Sequence, residues 1–214
     1  MKRLSLFTLI LFTIQLNAQM DSLSYSVGVV ISKNLKAQGI TELDMNSFNQ
    51  AIQDVFKGER LEMTLEQANE NVQAFMAEQK AAVNERTIKE GAQFLINNQK
   101  RPEVMVTESG LQYEVLTKGT GATHPNLTDK VKVHYHGTLI NGTVFDSSVD
   151  RGEPISFPLN GVIPGWQEGV QLMTVGSKYR FFIPYNLAYG ERAAGADIKP
   201  YSTLIFDVEL LEIQ

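Results

Sequence analysis

The hydrophobic pattern changes character near residue 102. Upstream, apolar positions recur at helical intervals, and residues 21–101 contain no proline. Downstream, apolar and polar positions alternate, and all seven prolines fall at Pro102 or later. The first half therefore predicts helices and the second half strands. Tyr25, Val29, Val30 and Leu35 place a first helix over 24–37. Gly39 ends it, since glycine takes the left-handed conformation at little steric cost. Asp44 or Asn46 is placed to cap a second helix over 47–57, with Phe48, Ile52, Val55 and Phe56 on one side and Gly58 after it. Thr64 with Gln67 three residues on forms a capping-box pair for a third helix.

That third helix, 65–100, contains one glycine, Gly91, and no proline. At 1.5 Å per residue it would be on the order of 50 Å long. Its apolar stripe is thin: Ala68, Val72, Phe75, Met76, Val83, Ile88, Phe94 and Leu95 amid Glu, Gln, Asn and Lys. A helix this polar predicts a solvent-bridging arm, stopped by Pro102. The two helices before it are too small to build a core alone. A second copy of the chain is the simplest cover for their apolar faces, and folding back onto the second half is the alternative. A homodimer through residues 21–63 is therefore expected.

The second half alternates as strands over 111–116, 130–139, 178–183 and 204–211. Asn141-Gly142 signals a hairpin whose return strand begins at Thr143. Val131, Val133 and Tyr135 share one strand face, with Lys130, Lys132, His134 and His136 on the other. Pro164 opens a short helix over 165–173, closed by Gly176. The expected class is α+β: an all-helical N-terminal segment with a long helix, then a curled antiparallel sheet wrapped on a short helix. The expected divisions are 1–20, 21–63, 64–101 and 102–214.

The first twenty residues and the charge narrow the setting. Lys2 and Arg3, an uncharged apolar run over 4–16 and the small residue Ala18 predict an export signal over 1–20. The run is short for a bilayer span, which needs ~20 apolar residues; an uncleaved anchor is the rival reading. With no Cys in the chain, a lipid anchor on cysteine is excluded. The mature protein is expected to be periplasmic or secreted, with no membrane span. Without residues 1–20 it keeps 17 basic and 24 acidic residues, a balance of −7. That argues against nucleic acid as a partner, because phosphate binding needs a basic footprint.

The candidate chemistry gathers between Val133 and Trp166. Aromatics, the only Trp and the acid Asp146 stand together with no Ser-His-Asp set. Such a stretch suits a pocket that binds and desolvates a ligand rather than covalent chemistry. Each residue has a plainer use: Trp166 as core, Asp146 as a turn cap, Arg151 as a surface charge. His134 and His136 share a strand face, but a metal needs three or four ligands and His124 is the only other His. No metal site and no cofactor is expected.

Five motifs in order carry a resemblance. Val133-His134-Tyr135, Gly142-Thr143-Val144-Phe145-Asp146-Ser147-Ser148, Val162-Ile163-Pro164-Gly165-Trp166, Ala188-Tyr189-Gly190 and Thr203-Leu204-Ile205-Phe206-Asp207-Val208-Glu209-Leu210 resemble an FKBP-type peptidyl-prolyl cis-trans isomerase over residues 105–214. The first half resembles the dimerisation segment and stalk of the macrophage infectivity potentiator branch, through Ser24-Tyr25-Ser26-Val27-Gly28 and its helical layout. The resemblance implies an FKBP-like fold and rotation of prolyl bonds without a covalent intermediate. It implies proline-containing segments of unfolded or exported proteins as substrates, and macrolides as inhibitors. Tyr135, Phe145, Asp146 and Tyr189 would be catalytic. Arg151, Ile155, Val162, Ile163, Trp166, Ile198 and Phe206 would bind substrate, with Trp166 as the pocket floor. The Ile163 N–H and the Tyr189 hydroxyl would hold substrate carbonyls.

The chain departs from the family at Ile155, where an aromatic is usual. In the loop over 190–201, Ala194 replaces a His and Lys199 a Pro. These changes bear on substrate preference and macrolide affinity. The reading from another class is a non-catalytic dimeric chaperone or proline-binding module for unfolded chains. Turnover of a proline peptide separates the two.

Overall fold

Local hydrogen bonds at the helix ends explain where the first elements begin. The computed structural model describes residues 21–214, so the export signal expected over 1–20 lies outside the described residues. Helix α1 (Ser22–Ala37) starts two residues earlier than the periodicity implied, because the Asp21 carboxylate accepts the Ser24 N–H at 2.8 Å. Helix α2 (Met45–Lys57) is capped in the same way by Asp44 on the Ser47 N–H and ends at Gly58 in the left-handed region. Helix α3 (Leu65–Asn98) opens on the capping box: the Gln67 N–H donates to Thr64 Oγ1 and the Thr64 N–H to Gln67 Oε1. No helix among the described residues is long and apolar enough to cross a membrane.

The chain divides into two compact units, one ending at Met76 and one running from Ala77 to Gln214. In the first, α1 buries no residue and α2 buries only Asp54, held by Gln50 at 2.7 Å. Leu23, Tyr25, Val30, Met45, Val55 and Phe56 are all exposed, Phe56 to 86%.

The second unit is built on strands β1 (Val104–Val106), β2 (Gln112–Thr117), β3 (Lys130–Leu139), β4 (Val144–Ser147), β5 (Ile155–Pro158), β6 (Lys178–Ile183) and β7 (Leu204–Ile213), with helix α4 (Pro164–Gln171). They form one antiparallel sheet in the order β1-β2-β6-β7-β3-β4. β5 also pairs with β3, along its first residues, from Lys130 to Val133. Alternation sets the core: Val131, Val133 and Tyr135 of β3 and Leu204, Phe206, Val208 and Leu210 of β7 are buried. Helix α4 lies on this face. A side chain at Gly169 would stand 2.6 Å from the Phe181 ring, and one at Gly165 2.5 Å from Ile183, so glycine is what lets helix and sheet approach.

The end of α3 belongs to this unit, which corrects the expectation of an arm bridging solvent along its whole length. Phe94 packs on Phe182 of β6 with ring centroids 6.0 Å apart. Asn98 is buried and donates to Gln112 Oε1 at 2.9 Å, while Gln112 Nε2 donates to the Leu95 carbonyl at 3.0 Å. Gly91 sits against Thr203. A polar helix can dock in this way when its buried amides find partners. Arg101 continues the contact, paired with Glu103 at 2.6 Å and Glu114 at 2.7 Å. Phe181 and Phe182, neighbours on one strand, thus serve opposite faces: one meets α4 and the other α3.

Candidate active site

Where α4 meets the curled sheet, a cavity of about 530 Å³ opens to solvent. Its walls are aromatic for a local reason. Tyr135 and Phe206 point inward by strand alternation, and Gly137 stands against Phe206 and Phe145. A side chain at Gly137 would lie 2.7 Å from the Phe145 ring and 2.8 Å from Phe206, so the missing Cβ lets those rings close up. Trp166, in the first turn of α4, is 5% exposed and meets Tyr135, Phe206 and Phe157 with centroids 5.4, 5.1 and 5.5 Å away. Phe145 stands edge-on to Phe206 at 5.3 Å. Edge-to-face pairs of this kind fix ring orientation, each contributing ~0.5–1.5 kcal/mol.

The Trp166 indole N–H is buried with no acceptor among the described residues. A buried donor left unpaired costs about 1–3 kcal/mol, which a tryptophan serving only as core would ordinarily avoid. The Ile163 N–H, just ahead of α4, likewise donates to no group among the described residues. Tyr189 is 43% exposed at the cavity wall. The Ile163 N–H is therefore left unspent beside an apolar cavity.

Asp146 is the acid at the centre. The Tyr135 hydroxyl donates to one carboxylate oxygen and Arg151 Nη1 to the other. Arg151 Nη2 closes the triangle by donating to the Tyr135 hydroxyl at 2.9 Å. Burial pushes the Asp146 pKa up, but the Tyr135 hydroxyl and the Arg151 guanidinium outweigh it and hold the carboxyl below its usual value. Burial, then the hydrogen bond to Asp146, pushes the Tyr135 phenol above its usual value. The site thus keeps a charged carboxylate and a neutral phenol across neutral pH.

The structure brings Tyr135, Phe145, Asp146, Ile155, Val162, Ile163, Trp166, Tyr189, Ile198 and Phe206 together on this one cavity. Arg151 stays off the wall and reaches the site through Asp146 and Tyr135. Phe157 is a wall residue that sequence reasoning missed. It lies two residues from Ile155 on β5, so alternation puts both on one face, but the four-residue strand ending in Pro158 gave no clear periodic signal. The loop over 190–201, expected to bear on substrate preference, contributes Ala194, Gly195, Ala196 and Asp197 to the wall, and Gly161 is a further wall residue, hidden because a lone glycine carries no pattern. His134 and His136 turn to the other face and meet Ser148 at 3.1 Å and Ser147 at 3.0 Å. No group of three metal-binding side chains occurs among the described residues.

A curled antiparallel sheet, one helix and an aromatic cavity between them define an FKBP-like domain. Comparison with known proteins agrees. The family profile "FKBP-type peptidyl-prolyl cis-trans isomerase" matches residues 121–211, and "Domain amino terminal to FKBP-type peptidyl-prolyl isomerase" matches residues 20–115. The chain is 46% identical over 193 residues to the FKBP-type 22 kDa peptidyl-prolyl cis-trans isomerase of Escherichia coli, covering 89% of this chain and 93% of that one. It is 41% identical to the Outer membrane protein MIP of Legionella longbeachae, covering 93% and 88%. Among solved structures, FkpA from Escherichia coli superposes with a TM-score of 0.76 at 37% identity, covering 90% and 93%. The chain belongs to the FKBP-type peptidyl-prolyl cis-trans isomerase family.

Proposed function

We propose that this protein catalyses cis-trans isomerisation of prolyl peptide bonds in unfolded, exported proteins. The observation that supports this most is the apolar cavity walled by Trp166, Tyr135 and Phe206, with the unspent Ile163 N–H and the charged, Arg151-paired Asp146 carboxylate beside it. Rotation about the X–Pro bond faces a barrier of ~18–20 kcal/mol because amide resonance is lost in the twisted state. No bond is made or broken, so the enzyme need only favour the twisted amide over the planar one. The planar amide is the more polar form. Stripping water from it in a cavity lined by rings removes part of its stabilisation.

The chain's own groups supply the remainder. Trp166 takes the pyrrolidine ring. The Ile163 N–H and the Tyr189 hydroxyl accommodate the neighbouring carbonyls. Asp146, oriented by Tyr135 and Arg151, faces the substrate carbonyl carbon as its double-bond character changes. Such fixed dipoles need not reorganise during rotation. Refolding of a protein whose slow phase is prolyl isomerisation tests this. Catalytic amounts should speed the slow phase and leave the fast phases untouched; an unchanged slow phase would contradict the reading.

The same reading extends to assembly and setting. The exposed apolar faces of α1 and α2 support a homodimer through residues 21–63, followed by α3 as the connecting helix and an isomerase domain. The charge and apolar pattern of residues 1–20 supports export to the periplasm or beyond, where the enzyme acts as a folding helper. Macrolides that fill the cavity would compete with peptide. Ile155, which offers them less surface than an aromatic ring, and the altered loop over 190–201 both bear on their affinity.

A further inference from the structure

One wall of the cavity carries a charge that the isomerase chemistry leaves unused. Ala194 and Ile198 exchange two backbone hydrogen bonds, Ala194 N–H to Ile198 at 2.9 Å and Ile198 N–H to Ala194 at 3.3 Å. The Tyr201 N–H closes the base of the loop on Gly190 at 2.8 Å. Ile198 is buried. These contacts pin a three-residue tip, Gly195-Ala196-Asp197, against the cavity, and all three line it. Gly195 takes φ +59, the left-handed value that the tight tip requires.

The tip presents one polar side chain, that of Asp197. Two acids line the cavity, Asp146 and Asp197, and they are in different states. Asp146 is matched by Arg151 and Tyr135. Asp197 is exposed and takes part in no ion pair among the described residues. Lys199 and Arg192 are the cations of the same loop; neither lines the cavity. Asp197 also borders a second hollow with Arg86 and Lys199, but neither cation lines the cavity, so on that side an unpaired carboxylate overlooks an apolar site.

We propose that Asp197 is a specificity-determining residue, selecting prolyl bonds flanked by Lys or Arg over those flanked by Glu or Asp. The proposal rests on the isomerase reading and names the substrate class of that site. A single charge at the rim acts on both arms of the comparison: it attracts a cationic neighbour of the proline and repels an anionic one. Because Asp197 is exposed, the effect is moderate, and salt screens it.

Matched tetrapeptides test this, with Lys, Gln or Glu placed either directly before or directly after the proline. The full chain, Asp197→Asn and Asp197→Lys are compared by NMR exchange, which needs no auxiliary protease. At low salt the wild type should turn over the Lys peptide roughly fivefold better than the Glu peptide in kcat/KM at one of the two positions. The ratio should fall to about one in Asp197→Asn, invert in Asp197→Lys, and shrink in wild type at about 0.5 M salt. A wild-type ratio near one at both positions, or a ratio unchanged in Asp197→Asn, would overturn the proposal. The Gln peptides report the isomerase itself: no turnover of them by wild type would overturn that reading, and the proposal with it.

Discussion

Gly91→Ala gives opposite signs depending on whether the end of α3 is docked. In a free helix, alanine is favoured over glycine by ~1 kcal/mol. In this structure the new Cβ would stand 2.5 Å from Thr203 Oγ1 and 3.3 Å from Thr203 Cβ. Thr203 is buried, so its side chain has little room to turn, and its Cβ stays close whichever way it turns. Overpacking of this kind costs ~1–3 kcal/mol. The net effect is a loss of about 1 kcal/mol, or about 3 °C in the unfolding midpoint for a unit of this size. Trp166, the only Trp, lies in the same unit as α3's end, so its fluorescence on heating reports the right transition. Thr203→Ala in the Gly91→Ala background should recover most of the loss. A Gly91→Ala variant with a raised midpoint would refute the docked helix end.

Tyr189→Phe should lower kcat/KM about tenfold by removing a hydrogen-bond donor of ~1.4 kcal/mol, with the unfolding midpoint unchanged, as peptide kinetics and melting together will read. Asp146 has a lowered pKa in the folded protein, so its contribution to stability is present above the usual carboxylate range and is lost as pH falls through the folded value. Acid titration of stability should therefore be flatter in Asp146→Asn than in wild type over that window, and parallel curves would contradict the Tyr135–Asp146–Arg151 triangle. Residues 21–214 should sediment at twice the chain mass and residues 77–214 at the chain mass of that fragment. A monomer in the first case would remove the role given to α1 and α2.

Much of the site was legible because the residues that make it also have fixed places in the fold. Tyr135 and Phe206 sit on long alternating strands, Trp166 follows a proline that starts a helix, and Asp146 sits beside a hairpin. Periodicity locates such residues, and the five motifs identified what they form. The illegible parts share a physical reason: their signal depends on contacts distant in sequence. Asn98 reads as an exposed amide until Gln112, fourteen residues on, supplies its partner. Gly91 reads as a weak point in a helix until Thr203 occupies the space of its missing side chain. β5 is a strand chiefly because β3 pairs with it. Asp197 gains its place at the cavity only through the bridge between Ala194 and Ile198.

The central claim is that an apolar cavity floored by Trp166 lowers the barrier to prolyl rotation. Its most direct measurement is the cis-to-trans rate of an uncharged proline tetrapeptide, with wild type and Trp166→Leu at equal folded concentration. The rate should rise linearly with wild-type enzyme and fall by at least about tenfold in the variant. A wild-type rate equal to that of the peptide alone would contradict it.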